Sequence, residues 1–128
     1  MALKQFAVGD GKRVRAPISN GPIAEVLIGA DQDWPMGVAH VVIPAGGGMP
    51  EHDHGDSAAM VIPLERPVVI VDVAEGREFE VSPGAVVTIP VGDLAEVRNP
   101  ADVDAPIMVV FDPPDFTRQL NSWPVDQT

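Results

Sequence analysis

Short runs of Val, Ile and Ala recur along the whole chain, each bounded by Pro or Gly. No stretch carries apolar residues at sustained helical spacing, so the pattern is one of strands and turns. It predicts strands near Arg13–Ile18, Ile23–Gly29, Met36–Pro44, Glu51–His54, Ala58–Pro63, Pro67–Val73, Arg77–Val81, Val86–Pro90, Leu94–Arg98 and Pro106–Phe111. Ala74-Glu75-Gly76 reads as a hairpin turn, and Pro83-Gly84 as the corner of another. One segment departs from the pattern. Pro114–Leu120 predicts a short helix, with Pro114 in its first turn and Phe116 and Leu120 on one face.

Ten short strands with close turns indicate an all-β sandwich or barrel. Several strands, such as Val68-Val69-Ile70-Val71 and Ile107-Met108-Val109-Val110, are apolar on both faces. One face would fill the barrel. The other needs cover from a second sheet or a second subunit, which makes a homodimer the expected state. An N-terminal arm, residues 1–20, could add to a partner's sheet edge. Fourteen prolines and twelve glycines in 128 residues fit this turn-rich reading and predict one domain, residues 1–128. Residues 112–128 read as a tail packed over the barrel.

Charge and composition narrow the function. The net charge of −11 argues against nucleic acid as a partner, because phosphate contacts need Lys and Arg. No apolar run approaches the roughly eighteen residues of a membrane span. No signal-peptide core is visible at the N-terminus, so the expected location is cytoplasmic. Without cysteine there is no thiolate ligand, disulfide or cysteine nucleophile. No Walker loop, dinucleotide fingerprint or G-x-S-x-G elbow occurs.

The candidate chemistry sits in Pro50-Glu51-His52-Asp53-His54, just after the flexible run Gly46-Gly47-Gly48. On an extended strand an H-x-H pair places both imidazoles on one face. Such a pair is half of a metal site, or a proton donor and acceptor near neutral pH. Asp56 would join that face if the strand continued, although Gly55 makes a turn equally plausible there. Glu51 and Asp53 have the opposite parity and should point away. His40, in Val38-Ala39-His40-Val41-Val42-Ile43, either faces the interior or sits at an interface. The Gly-rich loop between it and His52 leaves their relative register open. Met49 and Met60 could line a substrate cavity, and Trp34 and Trp123 read as packing residues.

These segments resemble the cupins, which are small double-stranded β-helix (jelly-roll) barrels. The first cupin motif is a Gly-rich approach, H-x-H, three or four residues and Glu. It is matched by residues 44–54, with Ala58 or Ala59 at the Glu position. The second runs from Gly76 through Pro83-Gly84 and Ile89-Pro90-Val91-Gly92 to Asn99, with Ala95 where the motif has its later His. The core motifs cover about residues 38–111. The resemblance implies a metal-dependent enzyme acting on a small organic molecule inside the barrel, of dioxygenase, isomerase or cyclase type. It carries over two of the four usual ligands, His52 and His54. His40 would be needed as a third, and Fe, Mn, Ni, Cu and Zn are not distinguished. Two rival readings stand beside it. One is a ligand-binding cupin that has lost its metal. The other is a metal-free acid–base catalyst in which Asp56 assists the His pair.

Overall fold

The short Val- and Ile-rich runs become two antiparallel sheets whose inner faces enclose the core. The computed structural model describes residues 2–127. Its strands are β1 (Arg13–Arg15), β2 (Ile23–Ile28), β3 (Gly37–Ile43), β4 (Gly48–His52), β5 (Ala58–Pro63), β6 (Val68–Asp72), β7 (Arg77–Val81), β8 (Val87–Ile89), β9 (Ala95–Arg98) and β10 (Ala105–Asp112). One helix, α1 (Phe116–Asn121), follows. The large sheet has the order β1-β2-β3-β10-β5-β8, and the small one β4-β9-β6-β7. Neighbours far apart in sequence, such as β10 between β3 and β5, give the jelly-roll crossing that a simple meander lacks.

Every predicted strand is present, half of them trimmed by a residue or two. The largest shift is at β4, expected near Glu51–His54 but running from Gly48 to His52. Its start is set by a close approach rather than by flexibility. A Cβ on Gly48 would lie 2.1 Å from the Val97 carbonyl oxygen, so only glycine lets β4 come this near β9.

In the large sheet, Ala39, Val41 and Ile43 of β3 face inward with Ile107, Val109 and Phe111 of β10 and Val61 of β5. In the small sheet, Val68 and Ile70 of β6 oppose them, with Ala95 and Val97 of β9 alongside. Asn99 is buried just past β9. Its Nδ2 donates to the Ile43, Pro44 and Val103 carbonyls and its Oδ1 accepts from Ala101 N–H, which ties the two connecting loops together.

The N-terminal arm lies on its own chain. Glu25, buried on β2, accepts hydrogen bonds from the backbone N–H groups of Gly9 and Gly11 at 2.7–3.0 Å. β1 pairs with β2, and its other edge is covered by the C-terminal tail. Arg15 N–H donates to Pro124 O, and Asp126 N–H donates to Arg13 O. The Asp126 carboxylate, 1% exposed, sits 3.2 Å from Arg15 and 3.7 Å from Arg13. Among the described residues no helix is long and apolar enough to cross a membrane.

Candidate functional site

Between the sheets lies a cavity of about 140 Å³. Its depth is hydrocarbon: Val41, Ile43, Val61 and Val109 from one sheet, Ile70 and Val97 from the other. Met49 lines it as expected. Met60 does not, because it sits one residue out of phase with Val61 and Ala59 and faces outward.

His52 and His54 both line this cavity. A register shift between Met49 and His52 lets both of those residues point inward although they are three apart. β4 then ends, so His54 is placed by the following turn rather than by strand alternation. Gly55 adopts φ 60°, and Ser57 N–H closes the turn on the His54 carbonyl at 3.1 Å.

The two rings stand edge to face, with centroids 4.8 Å apart and planes at 73°. His54 is 7% exposed and packs edge-on against Phe116 at 4.9 Å, with Phe111 at 5.9 Å. Burial in this aromatic corner, reinforced by His52, pushes its pKa from 6.5 down to about 4, with Asp53 pulling the other way. His54 is therefore neutral at pH 7. Its Nδ1 is buried and has no hydrogen-bond partner. The Nδ1 of His52 lies 2.9 Å from the Pro50 carbonyl oxygen. A carbonyl only accepts, so the proton is on Nδ1 and Nε2 is the free lone pair of neutral His52.

The remaining sequence candidates are placed elsewhere. His40 alternates out of phase with Val41 and Ala39, and its side chain faces outward beside Met108 and Glu25. It does not meet the pair, because the interior positions of β3 are the odd-numbered ones. Asp56 is exposed in the turn after His54 and is not part of the lining, since Gly55 interrupts the strand that would have carried it inward. Asp53, expected to point away, lies at the cavity rim because alternation lapses once β4 ends.

The structure also settles the ambiguous motif position. Ala59, in register with Ile89 and Phe111, faces inward, whereas Ala58 does not. Ala95 faces inward directly opposite His52.

The donor set is thus two imidazoles. Among the described residues no group of three or more His, Cys, Asp or Glu side chains converges as a metal site. Tightly held metals take three or four protein ligands, so these residues do not fit the metal centre that the fold implies.

Sequence reading missed the outer wall. Gln119 of α1 and Trp123 of the tail line the cavity with Phe116 and Leu120. Ser57 docks the helix: its Oγ donates to Pro113 O at 2.6 Å and accepts from Phe116 N–H at 3.2 Å. The i, i+4 pair Phe116 and Leu120 was the signal for an inward face. Nothing local indicated what lay beneath it.

No protein-family model matches the chain, and no curated protein matches it in sequence. Solved structures do match. The polyketide cyclase RemF from Streptomyces resistomycificus aligns over 87% of this chain and 80% of its own, at 19% identity and TM-score 0.72. Ectoine synthase from P. lautus aligns over 99% and 94%, at 15% identity and TM-score 0.73. A sugar phosphate isomerase of the cupin superfamily from Silicibacter pomeroyi aligns over 85% and 75%, at 20% identity and TM-score 0.70. By these matches the chain has the fold of the cupins.

Proposed function

We propose that the barrel holds a compact, mostly apolar organic molecule, and that His52 and His54 act on it by proton transfer without a metal. The observation that carries this reading is the unpartnered Nδ1 of His54, buried in the wall of an apolar cavity. An unmet buried polar nitrogen costs about 1–3 kcal/mol, and a ligand hydroxyl, which donates or accepts as the ring tautomer requires, would recover it. Size is consistent: an engineered apolar cavity of about 150 Å³ takes up benzene. His52 beside it offers Nε2 as a base. A proton leaving the bound molecule is taken there and returned from the same atom, the balance that an isomerisation or ring closure requires. The cyclase and isomerase among the structural neighbours are compatible with such chemistry.

Titration with benzene and phenol, followed by NMR, tests the reading. Phenol should bind about tenfold tighter than benzene, a net hydrogen bond's worth. His54→Phe, which suits its aromatic surroundings, should abolish the preference. An unchanged preference in the variant would remove His54 as the anchor.

We further propose that a second copy covers the outer face of the large sheet. That face carries Val38, Val42, Met108, Val110 and Met60, with His40 and the arm-bound Glu25 as its polar groups on β2 and β3. The outer face of the small sheet instead bears Glu78, Glu96 and Arg98, joined in ion pairs. The further charges of the large sheet's outer face lie at its margins, Arg13 and Arg15 on β1 and Asp112 at the end of β10, which leaves an apolar centre that suits self-association. Sedimentation should give a dimer for the parent and a single chain for Met108→Lys. A parent that sediments as one chain ends the proposal.

A further inference from the structure

A cavity selects its ligand by what it lacks as well as by what it offers. No Lys or Arg is found among the residues lining this one. The charged group at its rim is a carboxylate, the exposed Asp53, while Glu96 turns its side chain to the outer face between the inward Ala95 and Val97. Asp53 keeps one oxygen on Gly55 N–H at 2.9 Å, and Glu96 pairs with Arg98 at 3.2 Å. Arg98 is also engaged by Glu78, so its guanidinium is held on the outer face. Behind the rim the walls are hydrocarbon and aromatic, and the imidazole of His54 stands among Phe111 and Phe116.

An anion entering this space would give up its hydration and meet no countercharge. It would also pass the Asp53 carboxylate on the way, on a chain whose net charge is −11. An uncharged hydroxyl gives up far less, and because it both donates and accepts it can pair with the unpartnered imidazole nitrogen of His54 in either tautomer.

We propose that the site takes neutral, hydroxyl-bearing molecules and rejects their carboxylate analogues. This rests on the preceding reading of the barrel as a ligand cavity and narrows it to a substrate class.

The test compares benzyl alcohol with benzoate, which share a ring and differ in charge, on the full chain at pH 7 by calorimetry. Benzyl alcohol should bind at least about a hundredfold tighter than benzoate. An Asp53→Asn variant should raise benzoate affinity several-fold relative to benzyl alcohol. Benzoate binding as tightly as benzyl alcohol would overturn the selectivity while leaving the cavity reading in place. A gap that Asp53→Asn leaves untouched would overturn the role given to the rim carboxylate. Failure of both molecules and of phenol to bind would overturn the cavity reading and this inference with it.

Discussion

Ala95→His should turn a weak two-imidazole pair into a zinc site. Ala95 lies directly opposite His52 in the β4–β9 register, faces the cavity and is 6% exposed. Directly opposed residues in antiparallel strands have Cβ atoms about 4.5–5.5 Å apart, within reach of a shared ion for two imidazoles. With His54 the set becomes three histidines, a ligand set known to hold zinc with one position open. The free volume beneath Ala95 gives the new ring room without overpacking. Zinc affinity should rise at least about a hundredfold over the parent, since each further tenfold needs only about 1.4 kcal/mol of additional ligation. Calorimetry with Zn²⁺ reads this, and adding His54→Phe to the variant should reverse most of the gain. Equal zinc binding by parent and variant would mean that the three side chains do not converge.

Acidification should cost this protein stability through one imidazole. His54 titrates near 4 when folded and near 6.5 when unfolded. Between those values the unfolded chain binds the extra proton, so stability falls as pH drops through the window and levels off below it. Above pH 6.5 both states are neutral at this site and the contribution is constant. The full effect is about 3 kcal/mol, a large share of a small domain's stability. Carboxylates add slopes of their own, so the difference between parent and His54→Phe isolates the term. Urea unfolding from pH 7 to pH 4 should show the parent losing about 3 kcal/mol more than the variant. Parallel profiles would mean that His54 is hydrated in the folded state.

The strands were legible as short Val- and Ile-rich runs bounded by Pro and Gly. In β3 and β10 both faces are largely apolar, so which positions face inward came only with the structure. The placement of His40 needed one more fact, its phase relative to His52, and three glycines erase that phase in sequence. The sequence put His54 beside His52 by strand alternation, whereas the turn at Gly55 is what places it in the cavity wall. The same turn removes Asp56 and admits Asp53. Ala59 and Ala95 were visible as departures from the cupin motifs, but their inward orientation came only with the register. A tail over the barrel was expected, but that Gln119 and Trp123 reach the cavity was not, because Trp123 read only as a packing residue and the cavity beneath it has no local signal.

The tail's course sets an order of events. Val14 bridges Val125, two residues separated by most of the chain, and Trp123 fills the cavity wall just before that bridge. Synthesis runs from the N-terminus, so all ten strands and both histidines leave the ribosome before the wall exists. A nascent chain therefore exposes the interior to water and to chaperones until residues 116–125 emerge. The wall at Phe116, Leu120 and Trp123 thus closes only after both sheets can form.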